Sequence, residues 1–342
     1  MMTSISTVQE LEEHLSRPSA ADVSAMAALE GDLLILGAGG KMGPSLAHRA
    51  RRATEQAQVN KRIIAVSRFA DEGLRSQLSS RNIETMACDL LEPGALAKLP
   101  AVKNVIFMAA RKFGTTGSEH LTWAMNTFLP GLVAERYRDS RIVAFSTGNV
   151  YALSALGQGG AVESDQVAPQ GEYAQSALGR ERMFEYGSNC WGTLVTVLRL
   201  NYAVELRYGV LADIALAVFE RRPIDLRMGF VNVVWQGDAN SWCLRSFPHC
   251  QSPPFVLNVT GPETLSVRSI AHEFGRKFGI QPIFEFEESD TALLSNATRA
   301  HELFGCPMVS AGEVIGWLTD WVCNRGPMLN KPTHFEARDG KF

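Results

Sequence analysis

No apolar run in the sequence approaches the ~20 residues that cross a bilayer, so no membrane-spanning helix is expected. The first residues, MMTSISTVQELEEHLSRPSAAD, are polar and acidic and lack the apolar segment of a secretory signal. Charge of one sign is not in excess either: the net charge is −3, and no basic stripe runs along the chain. That argues against nucleic acid or an anionic membrane as the main partner. Cysteine is sparse. The six (Cys88, Cys190, Cys243, Cys250, Cys306, Cys323) are scattered with no CxxC pair, which fits reduced, mostly buried thiols in a cytoplasmic protein better than disulfides or zinc. The seven histidines fall at no metal-ligand spacing, so no metal is expected. Internal repeats and low-complexity tracts are absent.

What remains is an ordinary globular composition. The 342 residues, 46% of them hydrophobic, suffice for one large domain or two packed ones. Short apolar runs alternate with helical stretches: 33–37, 62–68, 83–90, 104–110, 141–147 and 193–200 read as strands. The helices fall near Met42–Gln56, His120–Tyr137 and Tyr173–Tyr186. This alternation predicts βαβ units on a parallel sheet buried on both faces. The expected fold is therefore α/β, a Rossmann-type doubly wound parallel sheet with a smaller C-terminal α/β part.

Residues 1–30, with helical spacing over 8–16, read as an extension packed on the main domain. Residues 31–200 form the dinucleotide-binding part, 201–325 the substrate-binding part and 326–342 a C-terminal arm or disordered tail. Beyond Asn201 helices are expected at 213–222, 266–279 and 314–323, the second opened by Ser266 and closed by Gly279. Strands are expected at 230–235 and 255–260, with 230–262 returning to the sheet.

Gly37, Ala38, Gly39, Gly40, Lys41, Met42 and Gly43 follow the first strand and open the first helix of the alternation. A dinucleotide pyrophosphate needs this arrangement, because it sits on the free N–H groups and positive dipole end of that helix. Glycines permit the tight turn and the close approach of backbone to phosphate. An ordinary βα turn would also tolerate them; their place at the head of the repeats favours the cofactor. An acidic residue ending the second strand would bind the ribose hydroxyl of NAD. Here that strand ends Ser67-Arg68, a hydroxyl and a guanidinium that suit the 2′-phosphate of NADP, with NAD as the alternative. The bland account of Arg68 is a solvated charge.

Taken in order, these segments resemble the extended short-chain dehydrogenase/reductase family, the NAD-dependent epimerase/dehydratase group, over roughly residues 31–320. Gly37-x-x-Gly40-x-x-Gly43 matches its phosphate loop, and Asp89-Leu90 the pair that faces adenine. Ala109 and Ala110 occupy the alanine-rich end of the fourth strand, and Asn126 the site of a helix asparagine near the active site. Phe145–Tyr151 resembles the strand carrying the catalytic hydroxyl, which falls on Thr147; Tyr173-Ala174-Gln175-Ser176 resembles the start of the helix that carries the catalytic tyrosine. The resemblance implies that Thr147 holds the reacting oxygen and Tyr173 moves the proton. The alternative is that both are ordinary structural residues.

The departures carry information. The family's tyrosine is followed four residues later by lysine, and position 177 is alanine. Arg180, on nearly the same helix face as Tyr173, is the nearest substitute; the alternative is a surface charge paired with Glu181 or Glu185. Gly148-Asn149 replaces the Asp-Glu of sugar-nucleotide 4,6-dehydratases, and the arginine that epimerases place before the segment matching Gly237-Asp238-Ala239 is missing. Asn149, Asn201, Arg207, Trp235 and Gln236 are candidates for the substrate pocket, each more often structural than not. The expectation is an NAD(P)-dependent oxidoreductase or epimerase acting on a hydroxyl or carbonyl carbon of a small polar substrate, a sugar, sugar acid or similar polyol. The alternatives are a non-catalytic NADP sensor or a dehydratase. A homodimer is compatible with these features.

Overall fold

The computed structural model describes residues 4–331 and 333–340. Seven strands form one sheet: β1 (Leu33–Leu36), β2 (Ile63–Ser67), β3 (Glu84–Ala87), β4 (Asn104–Phe107), β5 (Arg141–Thr147), β6 (Leu194–Leu200) and β7 (Phe255–Val259). All pairings are parallel, in the order β7-β6-β5-β4-β1-β2-β3. The chain reverses its direction of travel between β1 and β4, and the crevice at the carboxyl ends of these strands is where doubly wound sheets take their ligands.

The apolar runs explain the sheet. Leu33 and Ile35 point into one core with Ile63, Ile106 and Val143, while Leu34 and Leu36 point into the other with Ile64, Val105 and Phe107. A strand buried on both faces must be apolar at successive positions, and β1 is fully buried throughout. Each such leucine contributes roughly 1.5–3 kcal/mol by leaving water.

A third core lies beneath the helices Val210–Phe219, Val267–Phe278 and Ala311–Cys323, and it takes in Leu11 and Leu15 of the N-terminal helix Val8–Ser16. Ser266 caps its helix by accepting from the Ser269 N–H, and Gly279 closes it in the left-handed conformation, as expected.

Several local expectations are corrected. The span 230–235 is not one strand: Phe230–Val231 pairs with Leu265–Ser266, and Val234–Trp235 pairs with Ala203–Val204. Only Phe255–Val259 joins the large sheet. The helix expected over 213–222 runs from Val210 to Phe219. A second N-terminal helix, Ala20–Ala28, went unread; its buried Asp22 accepts from Arg49 at 2.6 Å and from Ser241 at 2.6 Å, pinning the extension to the sheet domain. The thiols are free but not mostly buried: Cys243 alone is, and Cys190, Cys306 and Cys323 are exposed. No helix is long and apolar enough to cross a membrane among the described residues.

Candidate active site

A cavity of about 740 Å³ opens at the carboxyl ends of β1, β4 and β5. Its floor is the glycine loop. Gly37 has a φ of +93° and lies against the Ala109 backbone, so that a Cβ there would meet Ala109 N at 2.5 Å. Gly39 faces the Ser67 hydroxyl equally closely. Side chains at either position would fill the cradle, and the loop leads into the helix Gly43–Gln56, whose first turn leaves N–H groups free for an anion. These residues fit a dinucleotide pyrophosphate.

Along one wall, β5 ends in Thr147, and the helix Gly171–Trp191 presents Tyr173, Ala177 and Arg180 on its buried face. Thr147 hydrogen-bonds the Tyr173 hydroxyl. The Thr147 hydroxyl also accepts from the Asn149 side chain at 2.9 Å, fixing its orientation. Burial pushes the Tyr173 phenol above its ordinary value; the Arg180 charge and the Thr147 hydrogen bond pull it back.

Arg180 is no surface charge. It is 3% exposed, donating through Nη1 to the Phe145 carbonyl at 2.7 Å and through Nη2 to Asn126 Oδ1 at 2.9 Å. Glu181, its suspected partner, is instead held by Arg199 at 2.7 Å and by Ser146 at 2.5 Å. Asn126 sits in a single wide turn, Ala124–Phe128, that interrupts an otherwise α-helical stretch. Its amide bonds both the N–H and the carbonyl of Arg111, at 2.9 and 2.8 Å, and donates to Ser176 at 3.0 Å. Asn126 does not line the cavity; it orients Arg180. The methyl of Ala177 points elsewhere, into a small apolar cluster with Val150, Tyr151 and Ala161.

The cavity also carries several cations. The Lys41 ammonium lies 3.0 Å from the centre of the Tyr208 ring, and desolvation with the neighbouring Lys112 charge lowers its pKa to about 7. Lys112, 5.7 Å from the Tyr173 ring centre, falls to about 8 by burial. Its ammonium donates to the Thr333 carbonyl at 3.4 Å. Thr333 belongs to the C-terminal arm, which lies over its own chain. Its N–H and hydroxyl both donate to Asp213, at 2.8 and 2.6 Å, and Leu329 N–H donates to the Arg207 carbonyl at 3.0 Å. Further on, Arg338 donates to the Thr291 carbonyl at 2.8 Å, and Gly340 packs directly on Gly171 at the head of the Tyr173 helix. The arm thereby brings Asn330, Lys331, Thr333 and His334 into the cavity wall.

Gly37, Gly39, Gly40, Lys41, Met42, Ala110, Thr147, Asn149, Tyr173, Arg180, Asn201 and Gln236 thus converge on one cavity. Arg68 and Asp89 line a second one, of about 390 Å³, at the ends of β2 and β3. Ser67 and Ala109 press on the glycine loop, and Gly43 begins its helix. Three assignments are corrected. Arg207 is spent on ion pairs with Glu12 at 2.9 Å and Glu205 at 3.1 Å. Trp235 is core, packed edge-on against Trp317. Leu90 is buried in the apolar core under the sheet. Lys112, Tyr208 and the arm residues went unread, because nothing in their local sequence ties them to the glycine loop.

No family model matches the sequence, and no curated protein matches it. Solved structures do match. A UDP-glucuronic acid 4-epimerase from Bacillus cereus, crystallised with NAD and a fluorinated UDP-glucuronic acid, is similar with a TM-score of 0.73 at 15% identity, over 86% of this chain and 99% of that one. A UDP-glucose 4-epimerase from Thermotoga maritima, with UDP-glucose, gives 0.70 at 15% identity over 86% and 99%. A dTDP-glucose 4,6-dehydratase from Streptomyces venezuelae, with NAD bound, gives 0.71 at 16% identity over 86% and 98%. The chain therefore has the Rossmann-type α/β fold that these epimerases and dehydratases have.

Proposed function

We propose that the protein is a nicotinamide-dinucleotide-dependent oxidoreductase or epimerase acting on a hydroxyl or carbonyl carbon of a sugar, sugar acid or similar polyol. One observation carries this reading: the Tyr173 hydroxyl, hydrogen-bonded to Thr147 and facing the Arg180 charge, stands in the same cavity as the glycine loop. When bound there, a nicotinamide supplies hydride chemistry. The chain's own task is to orient the substrate and to move one proton. Thr147 holds the reacting oxygen, Tyr173 exchanges the proton, and Arg180 favours the phenolate through which it does so. Residues 31–200 hold the cofactor, and 201–325 with the arm enclose the substrate. The solved structures similar to this chain include proteins crystallised with NAD and sugar nucleotides, which supports the coarse reading.

For this chain we favour NADP. Exposed Arg68 lines the second cavity beside Asp89, where a guanidinium meets a 2′-phosphate without first breaking an ion pair among the described residues. Titration should give tighter binding of NADP than NAD, and Arg68→Ala should erase the difference. Tighter NAD binding to the unmodified protein would end that assignment. Nicotinamide absorbance followed across a panel of polyols and sugar acids tests the activity itself. A folded protein that binds the dinucleotide yet turns over nothing would return the sensor reading.

A further inference from the structure

Resting on that reading, we propose that Tyr202 and Tyr208 recognise the substrate, their two phenol hydroxyls binding neighbouring hydroxyl groups beside the reacting carbon of a polyol. The first argument is elimination. Both tyrosines are half-buried and line the cavity. Other polar side chains there are already engaged by the protein. Asn149 donates to Thr147 at 2.9 Å, Asn201 to Asn232 at 2.6 Å, Gln236 to Ser45 at 3.0 Å and Thr333 to Asp213 at 2.6 Å. The hydroxyls of Tyr202 and Tyr208 have no hydrogen-bond partner among the described residues, and neither is sealed inside the protein. A tyrosine hydroxyl withdrawn from bulk water ordinarily finds a partner. Here that partner comes from what occupies the cavity.

The second argument is position. Strand β6 pairs with β5 so that Leu200 lies beside Thr147, and Tyr202 follows two residues beyond, at the carboxyl end of the sheet. Tyr208 is near enough to both Tyr173 and Tyr202 for the phenols to oppose one another's ionisation. A polyol carries hydroxyls on successive carbons. With one oxygen at Thr147 and Tyr173, the next ones come within the reach of Tyr208 and Tyr202. Burial pushes both phenols up, so both stay protonated at neutral pH. Each then donates one hydrogen bond and accepts others, as a sugar hydroxyl also does.

The third argument is rigidity. Tyr202 has a φ of +45°, a left-handed backbone that a bulky residue seldom adopts and that recurs at ligand sites. It is held there because its carbonyl accepts from Val234 N–H at 3.1 Å and the Asn201 N–H donates to the Val259 carbonyl at 2.9 Å. Tyr208 is fixed by its backbone exchange with Glu205, at 3.0 and 3.4 Å, and by the Lys41 ammonium on its ring. Hydroxyls fixed in place select a ligand that carries matching groups, since an analogue without them leaves the site's polar groups unpaired.

The test is binding to the full chain saturated with NADP, measured by calorimetry. The probes are D-glucose, D-glucitol, D-gluconate and D-glucuronate, with cyclohexanol as the counter-probe that carries a single hydroxyl. We expect at least one of the four to bind about tenfold or more tightly than cyclohexanol. Tyr202→Phe and Tyr208→Phe remove one hydroxyl each and keep the ring, including the ring under Lys41. Each should weaken that probe about tenfold while NADP affinity and the thermal midpoint stay unchanged. No binding of any of the four, equal binding of cyclohexanol, or an unchanged affinity in either variant would overturn the proposal. So would a loss that NADP affinity or the thermal midpoint shares, since that marks a structural role. Failure of NADP and NAD to bind at all would instead overturn the underlying reading.

Discussion

The guanidinium of Arg180 is buried on the same helix face as Tyr173, seven residues further on, and its charge opposes the rise that burial imposes on the Tyr173 phenol. Because the phenolate is the proton-accepting form, removing the opposing charge moves the phenol further up. Arg180→Met should therefore shift the alkaline limb of oxidative turnover to higher pH, and Arg180→Lys should move it less. Tyr173→Phe should lower turnover about 10²–10⁴-fold with cofactor affinity unchanged. An unshifted pH profile in Arg180→Met would assign Arg180 to structure alone.

Position 177 makes an unusual prediction. Lysine there does not rejoin Tyr173, because Ala177 is fully buried against Val150, Tyr151 and Ala161. Ala177→Lys should thus cost roughly 3 kcal/mol or more of stability, by overpacking and by burying an ammonium. Urea unfolding measures it, and the pH limb of any folded fraction should stay where it was. A stable variant with a lowered limb would contradict the packing described here.

Two glycines of one loop should behave differently. A Cβ at Gly40 meets nothing nearer than the Gly37 carbonyl at 3.4 Å, whereas one at Gly43 meets the Ala38 carbonyl at 2.3 Å. Gly40→Val should keep the fold and lose dinucleotide binding, since its branched side chain stands where pyrophosphate must approach. Gly43→Ala should lower stability by about 1–3 kcal/mol. Unfolding curves alongside a cofactor titration separate the two effects.

Lys41 gives the ligand-free protein a pH dependence. Its folded pKa of about 7 lies below the ordinary lysine value, so between about pH 7 and the ordinary value the unfolded chain binds the extra proton. Stability should therefore rise with pH through that window, with the penalty fully present below about pH 7. Lys41→Met should stabilise the ligand-free protein near pH 7 by on the order of 2 kcal/mol, allowing for partial exposure. It should also flatten the rise, leaving the smaller slope that Lys112 gives from about pH 8. Thermal unfolding at several pH values is the measurement. An equal slope in the variant would refute it.

The sequence by itself determined the sheet and the glycine loop, because both rest on local pattern. Residues 141–147 are a strand over those very positions, since a doubly buried strand needs an unbroken apolar run, and Ser266 and Gly279 bound their helix through backbone requirements that any sequence reading can apply. The parallel α/β fold class was legible for the same reason.

Only the tertiary structure decided which charges meet. From sequence Arg180 is either a substitute for the missing lysine or a surface charge, and the surface reading falls only because Asn126 and the Phe145 carbonyl, from two other elements, enclose it. Arg207, a substrate candidate by position, is taken by Glu12 of the N-terminal helix, which the chain brings back over a long separation. Lys112 and Lys331 share a cavity because the arm folds over its own chain and Thr333 bonds Asp213. Periodicity reports which face of an element is buried; it carries nothing about which distant element buries it. Cation placement depends on that second fact, since desolvation and Coulomb interaction act through space rather than along the chain.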